Sequence, residues 1–477
     1  MTVVHVTPVK KHTISPYLYM QFAEPLGTSD TSVDAGWDFL ERKWQPKLVE
    51  KVQELAPTMI RWGGCFASYY HWREAVGPYS ERIPVLNHCW GSVPFHNYVG
   101  THEVIDLCRC CDAEPLMVVN MESDGRQRWA HPKNDTDRCG TAEEAAAWID
   151  YCNNPDNALR ISHGHEQPYN VKYWQIGNET SYDRAGFNLD QCEEVTRRFA
   201  DAMRRADPSV KLIGWGDEDR DKNPWCGRMS RIDELDMIAF HHHFQSGLEN
   251  SPLVGTEYRK DYDATWQHLM NAYKSAETHV AAMRAECGNK RLAITEGHYT
   301  LRGRNRNEVL SSWGAGVSYA RIMNVYHRNS DVIDIATLAD FFGTVWQVNA
   351  LMLPAPIQSG PAYLQPVGTV MSLFRHHQGH YAADISYTGD IDAVASMDDG
   401  KIFIHIANTD RHNGQNLSFD LGGRSVKSAT MFYVAQPSDV EITPSNANVF
   451  AIQQCPVDVR AMTLPRAAVA AIEIELE

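Results

Sequence analysis

Short apolar runs alternate with amphipathic stretches from about residue 17 to about residue 345. The amphipathic stretches carry apolar residues at helical spacing, whereas the short runs have the length and side chains of buried strands. Such alternation is typical of repeated βα units that share a parallel sheet. The pattern predicts eight strands, at Tyr17–Phe22, Thr58–Trp62, Leu116–Asn120, Tyr173–Ile176, Lys211–Trp215, Met237–His241, Arg291–Thr295 and Ile333–Leu338.

Amphipathic helices are predicted between these strands. Thr141 opens the sequence T-A-E-E, which has the form of a capping box. Because parallel crossovers share one hand, eight βα units close most simply into a (β/α)8 TIM barrel. The predicted helices are Pro46–Leu55, Asn97–Cys111, Thr141–Tyr151, Leu189–Ala206, Ala264–Glu286 and Glu308–Tyr326.

After about residue 366 the pattern changes to strand-like runs, such as Lys401–Ile406 and Ala468–Leu476, separated by glycine-containing turns. This pattern is typical of an all-β sandwich. The N-terminal run Val3–Val6 precedes the first barrel strand and could pair into the same sandwich. A chain of 477 residues also exceeds what one core usually supports. We therefore predict a catalytic barrel over residues 13–365 and a β-sandwich domain from residues 1–12 plus 366–477.

The charge, the apolar runs and the cysteine content of the chain indicate which partners and which cellular location to expect. The formal charge of -16 repels phosphate backbones, so a nucleic-acid partner is not expected. The chain shows neither a secretion signal nor an apolar run of membrane-spanning length, so we expect no membrane partner and a cytoplasmic location. Eleven cysteines fit a reducing compartment. The group Cys108, Cys110 and Cys111 lacks zinc-site spacing, so packing is favoured there.

Two predicted strands run directly into a glutamate, Tyr173–Glu179 and Leu292–Glu296. In a closed parallel barrel both acids would open onto the C-terminal mouth, where active sites of this architecture lie. Two facing carboxylates are the minimal apparatus for hydrolysing a glycosidic bond. Asn178 could donate to a sugar hydroxyl, and Arg61, at the end of the second strand, could hold Glu296 ionised by depressing its pKa. The leading hypothesis is a glycoside hydrolase.

Other polar residues at strand ends have more than one interpretation. On a strand only His241 and His243 of the triple histidine share a face, and no acidic third ligand is evident nearby. Hydrogen bonding to substrate is favoured for them over packing or metal binding. Glu24 follows the first strand and would join the same rim, or is a simple loop carboxylate.

The segment R-W-G-G-C-F-A-S-Y-Y-H-W-R-E-A-V-G-P, residues 61–78, carries a family resemblance. It resembles the R-(Y/W)-P-G-G-x-F-x-x-x-Y-x-W-x-x-G-(I/V)-G-P stretch of the α-L-arabinofuranosidases of glycoside hydrolase family 51, in clan A of retaining barrel enzymes. Tyr173–Glu179 looks like that family's acid/base strand, and Phe22-Ala23-Glu24 looks like its first-strand motif. The resemblance covers most of the barrel, and the family also carries a C-terminal β-sandwich.

The resemblance implies a role for each candidate residue. Glu179 would be the acid/base and Glu296 the nucleophile. Asn178 would bind the sugar 2-hydroxyl, Arg61 would lie beside the nucleophile, and Glu24 and Cys65 would line the pocket. No cofactor or metal is implied, and relatives of this kind often form homo-oligomers.

The chain departs from the family pattern at several positions. It has Thr295-Glu296-Gly297-His298 around the nucleophile, His241-His242-His243-Phe244 on the sixth strand and Pro25 after Glu24, and W-R-Q is not found near residues 359–361. We expect a retaining exo-glycosidase that releases terminal α-L-arabinofuranosyl groups from an oligosaccharide or glycoside. A pyranosidase acting on a β-xyloside or β-galactoside, and a non-catalytic carbohydrate-binding protein, stay open as alternatives.

Overall fold

The fold is taken from a computed structural model that describes residues 2–27, 30, 32–87, 89–91, 93–122, 138–182, 187–218, 222–302 and 306–477. Within these residues most strands belong to an 11-stranded sheet and a 9-stranded sheet. Two short hairpins add Trp37–Asp38 with Lys43–Trp44, and Val85–Asn87 with Val93–Phe95. The architecture is a mixed α/β fold with a second, β-rich region.

The larger sheet contains eight strands that pair in parallel in sequence order. All eight correspond to strands predicted from the hydrophobic pattern, although several boundaries differ. We refer to them as the first to eighth strands. They are Met20–Ala23, Met59–Trp62, Glu114–Val119, Tyr173–Ile176, Lys211–Trp215, Met237–Phe244, Arg291–Tyr299 and Ile333–Ile335.

The two ends of this parallel run approach each other. The Ala336 N–H, just after the eighth strand, donates to the Tyr17 carbonyl at 3.1 Å, and the Met20 N–H donates to the Ala336 carbonyl at 2.9 Å. The following strand Asp340–Gly343 then pairs in parallel with the first strand. Two further strands, Asn349–Met352 and Tyr363–Leu364, extend the sheet beyond it. The chain after the seventh strand thus contacts both the seventh and the first strands.

Helices connect successive strands, as the predicted βα pattern requires. Two of them, Pro46–Leu55 and Leu189–Ala206, have the predicted bounds. Thr141 caps its helix by accepting the Glu144 N–H at 3.1 Å. The α-helices are Ser32–Gly36, Pro46–Leu55, Thr101–Cys110, Ala142–Asn153, Ala158–Ser162, Leu189–Ala206, Trp225–Met229, Tyr262–Asn271, Tyr273–Glu286, Trp313–Arg328 and Pro366–His376.

Some predicted boundaries were wrong because local capping overrides the apolar pattern. Residues Pro16–Tyr19 form a 3-10 turn, where Ser15 accepts the Tyr17 N–H at 3.2 Å, so the first strand begins only at Met20. The helix predicted from Asn97 begins at Thr101, because Glu103 reaches back to the backbone of Gly100 at 2.9 Å.

Tertiary contacts moved other boundaries. The single helix predicted over 264–286 is two helices that meet at Ala272, where the Asn271 side chain donates to the Ser246 carbonyl at 2.6 Å. The helix predicted from Glu308 starts as a 3-10 turn, Glu308–Ser311. The sixth and seventh strands run past their predicted ends, because each stays paired with the other as far as Phe244 and Tyr299.

The 9-stranded sheet has its own apolar core. Its N-terminal strand Thr2–Thr7 lies between Tyr381–Ser386, which it pairs with antiparallel, and Gln415–Asp420, which it pairs with in parallel. The helix Pro366–His376 precedes this sheet, and its buried side chains pack into the larger core. The remaining strands are Ile391–Asp398, Lys401–Asn408, Val426–Val434, Gln453–Pro456, Met462–Leu464 and Val469–Leu476.

A buried carboxylate joins the 9-stranded sheet to the helix Trp313–Arg328. Asp392, on the 9-stranded sheet, accepts from Arg321 Nε at 3.2 Å and Arg328 Nη1 at 2.9 Å, both on the helix Trp313–Arg328. Asn324 of the same helix donates to it at 3.0 Å. None of the helices in the described residues combines the length and the apolarity that a membrane span needs.

Candidate active site

A cavity of about 880 Å³ opens where the C-terminal ends of the parallel strands meet. Four acidic residues reach the cavity wall. Three of them follow the first, fourth and eighth strands, and one lies within the seventh strand. Aromatic and histidine side chains complete the lining. Its residues include Glu24, Cys65, Cys89, Trp90, Glu179, His243, Glu296, His298, Leu301, Arg306, Asp340 and Trp346.

Arg61 forms the buried base of this site. Its Nη1 donates to Glu296 Oε1 at 2.8 Å, and its Nη2 donates to Asn178 Oδ1 at 2.6 Å. Its Nε donates to Gln175 Oε1 at 3.0 Å. The Arg61 side chain is fully buried, so its charge needs a buried counterion, and Glu296 supplies it. The guanidinium thereby fixes the orientation of the Glu296 carboxylate.

A β-bulge directs Glu296 toward its partners. Phe240 pairs with Ile294, but the next residue His241 pairs with Glu296, so Thr295 is an extra residue in the seventh strand. A bulge re-aims the side chains that follow it. His241 Nε2 lies 3.2 Å from Thr295 Oγ1, which leaves Nδ1 to face the carboxylates.

His241 contacts both predicted catalytic acids. Its Nδ1 lies 2.9 Å from Glu179 Oε1 and 3.5 Å from Glu296 Oε2. The two carboxylate oxygens are therefore no farther apart than the sum of these distances. Glu179 also accepts from the thiol of Cys65, whose Sγ lies 3.7 Å from Oε2.

The backbone that presents Glu179 is unusual. Glu179 has φ 54°, in the left-handed region that is uncommon for a non-glycine residue, and Gly177 has φ 73°. A glycine at 177 permits the sharp turn out of the fourth strand. Residues held in such conformations cluster at functional sites, where the surrounding structure enforces them.

Glu24 lies in a tight, buried cradle. Its Oε1 accepts from Trp90 Nε1 at 2.8 Å and from the Phe66 N–H at 3.2 Å. A Cβ at Gly64 would come within 2.2 Å of the Glu24 carboxylate, so only glycine fits there. Burial, followed by the nearby charge of Glu296, raises the pKa of Glu24 to about 8.

Two histidines line the mouth of the cavity beside Glu179. His243 Nε2 lies 3.9 Å from Glu179 Oε1, and this carboxylate raises the pKa of His243 even though burial opposes the charge. His298 packs against His243 with ring centroids 4.8 Å apart. Burial lowers the pKa of His298 to about 3, so its ring is neutral near pH 7.

Asp340 is a further acid of the site that was not predicted. It is buried, and its Oδ1 has no hydrogen-bond partner among the described residues. Burial, reinforced by Glu296 and Glu24, raises its pKa well above the usual range. A protonated Asp340 beside the cavity can donate to a bound hydroxyl.

The structure brings all eight candidate residues together. Arg61, Asn178, Glu296, His241 and Glu179 form one continuous contact network. The remaining candidates, Glu24, Cys65 and His243, line the same cavity.

Sequence reasoning missed several residues of the cavity. Asp340 could have been found, because it closely follows a predicted strand as Glu24 does. No local pattern marks Trp90, which lies on a turn that only the tertiary structure brings to Glu24. His298 and Trp346 likewise face the cavity with ring centroids 5.3 Å apart, without a distinguishing spacing in the sequence.

The arrangement contains what acid–base and nucleophilic attack at one carbon requires. Glu296 is held by a guanidinium, as suits an ionised group that attacks. Glu179 borders the cavity and contacts a histidine and a thiol, as suits a group that exchanges a proton. Glu24 and Asp340, with raised pKa values, add hydrogen-bonding capacity while limiting the charge around Glu296.

Two family models match this chain, one after the other. The α-L-arabinofuranosidase 1 domain matches residues 51–264, and the α-L-arabinofuranosidase C-terminal domain matches residues 297–465. The first match contains Arg61, Glu179 and His241, and Glu296 directly precedes the second.

Curated relatives agree with these models. An intracellular exo-α-L-arabinofuranosidase of Bacteroides ovatus is 25% identical over 88% of this chain and 84% of its own length. An intracellular exo-α-(1→5)-L-arabinofuranosidase of Halalkalibacterium halodurans is 30% identical over 48% of this chain and 46% of its own length.

A solved structure shares the fold. The GH51 α-L-arabinofuranosidase of Thermotoga petrophila covers 100% of both chains with a TM-score of 0.77 and 24% identity. Together with the site geometry, the two family models, which match consecutive parts of the chain, show that it is an α-L-arabinofuranosidase-like protein with the fold of that solved GH51 enzyme.

Proposed function

We propose that this glycoside hydrolase is a retaining exo-acting enzyme that releases terminal α-L-arabinofuranosyl groups. The observation that carries the proposal is the contact of Glu179 and Glu296 with the same imidazole nitrogen of His241. A shared contact atom supports the short carboxyl separation of retaining enzymes, about 5–5.5 Å, over the about 6.5–9.5 Å of inverting enzymes. The names of the curated relatives support the furanoside.

Hydrolysis proceeds in two displacements at one anomeric carbon. In the first, Glu296 attacks the anomeric carbon while Glu179 protonates the departing glycosidic oxygen. In the second, Glu179 removes a proton from water, which attacks the same carbon and releases Glu296. Arg61 stabilises the carboxylate of Glu296 before attack and after release.

The remaining candidate residues would bind the terminal sugar. Asn178 is held by Arg61 beside both acids, where it can bond the sugar 2-hydroxyl. Glu24 and Cys65 line the inner wall, and His243 lines the mouth with His241 behind it. Most of these groups can bond sugar hydroxyls in one compact pocket. Such a pocket suits the terminal sugar of an oligosaccharide rather than an internal one.

The test is hydrolysis of a panel of 4-nitrophenyl glycosides by the wild type and two variants. We expect the α-L-arabinofuranoside to be cleaved fastest, and faster than the β-xylopyranoside and β-galactopyranoside. Glu296→Ala should lose at least about 10⁴-fold in kcat, because the covalent step has no substitute nucleophile. Glu179→Ala should keep the first step on activated leaving groups and be accelerated by azide, which replaces the water that Glu179 activates.

Glu249→Gln is the matched control, because Glu249 is exposed and does not line the cavity. Its kinetics should equal those of the wild type. Faster cleavage of a pyranoside would overturn the sugar assignment and retain the two-glutamate mechanism. Binding of oligosaccharides without cleavage of any panel member would overturn the enzymatic proposal.

The finer architecture is also a proposal. Contacts of the Ile333–Gly343 region with both the seventh and the first strands support a closed (β/α)8 barrel. The separate core of the 9-stranded sheet supports a β-sandwich domain. We propose the division into 13–365 and 1–12 plus 366–477, with Pro366–His376 packed against the barrel as the connection.

Cellular context is proposed from the relatives. The names of the Bacteroides and Halalkalibacterium enzymes include the word intracellular, which supports a cytoplasmic location for this chain. The family resemblance supports a homo-oligomer. Sedimentation equilibrium of the purified protein would measure its mass against the monomer mass of 53.9 kDa.

A further inference from the structure

Three side chains at the cavity wall have the chemistry and spacing of metal ligands. Glu179, His241 and His243 each offer one ligand atom, and these atoms all lie within 4.8 Å of one another. The shortest separation, from His241 Nδ1 to Glu179 Oε1, is 2.9 Å, and His243 Nε2 lies 3.9 Å from the same oxygen. Strand alternation places His241 and His243 on one face of the sixth strand, and Glu179, which follows the fourth strand, supplies the acidic third ligand.

These separations are close to those of a tetrahedral site. Ligand atoms about 2.0–2.1 Å from zinc lie roughly 3.3 Å apart in a tetrahedron. Two of the observed separations bracket that value, so small side-chain rotations would suffice. Two imidazoles and a carboxylate also form a ligand set found in zinc sites, and imidazole suits copper, nickel and cobalt as well.

Further features favour a bound cation. His241 Nε2 is paired with Thr295 Oγ1, and a second hydrogen bond of this kind orients the ring of a metal-ligating histidine. The buried His243 Nδ1 has no hydrogen-bond partner among the described residues, so this ring is not committed elsewhere through Nδ1. The Cys65 thiol lies 3.7 Å from Glu179 Oε2 and would be a further soft atom near a bound ion.

We propose that Glu179, His241 and His243 form an inhibitory binding site for one divalent transition-metal ion, with zinc as the favoured ion. The ion replaces the proton between His241 Nδ1 and Glu179 Oε1, and that proton is released to solvent. Glu179 then holds a metal instead of the proton that it must give to the leaving group. The inhibitory effect rests on the proposed function of Glu179, whereas binding itself does not.

Binding is tested by titrating untagged, chelator-treated protein with cobalt(II) and recording its visible absorption, which intensifies in a tetrahedral site. We expect saturation at one ion per chain and displacement by zinc. His243→Phe should weaken binding by more than the about 10- to 100-fold that loss of an outer-shell partner costs. Glu179→Gln should weaken it as well, because a neutral amide is a poorer ligand than a carboxylate.

His380→Phe is the matched control, because the His380 side chain is 80% exposed and lies far along the chain from the cavity residues. Its cobalt affinity should equal that of the wild type. Circular dichroism checks that each variant is folded. If His243→Phe is unfolded, the cobalt affinity of Glu179→Gln alone tests the metal site. Cobalt binding that is absent, or unchanged in the folded cavity variants, would overturn the metal site.

Inhibition is measured separately with the aryl arabinofuranoside. Zinc should raise the apparent KM with little change in kcat, because substrate and metal compete for the cavity, and a chelator should reverse the effect. Noncompetitive inhibition would overturn the assignment to this cavity. Cobalt absorption requires no turnover, so failure of the proposed function and failure of the metal site give different results.

Discussion

At the scale of single residues, three glutamates acquire different properties from different surroundings. Glu296 faces a guanidinium, Glu179 faces an imidazole and a thiol, and Glu24 faces an indole N–H and a backbone N–H. Burial raises the pKa of Glu24 to about 8. The three positions therefore present the same carboxyl group to different partners, which is the basis of the different roles proposed for them.

We predict that Glu24→Gln changes the pH dependence of stability. The native state holds the Glu24 proton up to about pH 8, whereas the unfolded chain releases it near the ordinary value of 4.5. Between these pH values the native state binds one proton more than the unfolded chain, so the free energy of unfolding falls as pH rises. The Tm of Glu24→Gln minus that of the wild type should become more positive from pH 5 to pH 8.

Thermal unfolding followed by circular dichroism at several pH values measures this difference. Glu249→Gln, at an exposed position, should show the same difference at every pH. A Glu24→Gln difference that is flat, or that falls with pH, would contradict a protonated Glu24 at neutral pH.

At the scale of elements, the bulge in the seventh strand decides the alignment of the two acids. Thr295 is the extra residue, and its hydroxyl lies 3.2 Å from His241 Nε2. We predict that Thr295→Val lowers kcat about fivefold with little change in KM, because a lost hydrogen bond costs about 1 kcal/mol and the freed imidazole no longer orients Glu179. Steady-state kinetics on an aryl arabinofuranoside measures the change.

Thr295→Ser should have the kcat of the wild type, because serine keeps the hydroxyl. Thr463→Val, at an exposed strand position where the hydroxyl bonds Asn416, tests a threonine-to-valine change outside the cavity and should leave kcat unaltered. Equal kcat for Thr295→Val and wild type would remove Thr295 as a positioning residue for His241.

At the scale of the whole molecule, the buried carboxylate of Asp392 couples the 9-stranded sheet to the helix Trp313–Arg328. Asp392 neutralises Arg321 and Arg328 of the helix that follows the seventh strand. We predict that Asp392→Asn lowers the free energy of unfolding by about 3 kcal/mol, because breaking a buried ion pair leaves its partner charges uncompensated. Urea denaturation followed by tryptophan fluorescence measures the loss.

Asp399→Asn is the matched control, because the Asp399 side chain is 96% exposed although it pairs with Lys10. An exposed pair contributes about 0–1 kcal/mol, so its midpoint should move little. Equal effects of the two substitutions would show that Asp392 does not couple the 9-stranded sheet to this helix.

Much of the fold was predictable because it depends on local periodicity. The alternation of short apolar runs and amphipathic stretches located all eight parallel strands, and two helices had the predicted bounds. Errors arose where a cap or a distant contact set the boundary, as at Met20, Thr101 and Ala272. Those contacts join residues whose proximity a linear pattern does not encode.

By itself, the sequence determined which strands run into Glu179 and Glu296 and that both acids would share a sheet edge, because parallel strands end on one side. Only the tertiary structure decided that both acids contact His241, that Thr295 bulges, and that burial raises the pKa values of Glu24 and Asp340. These properties depend on burial and on distances between residues of different strands. Such quantities exist only once the sheet has formed.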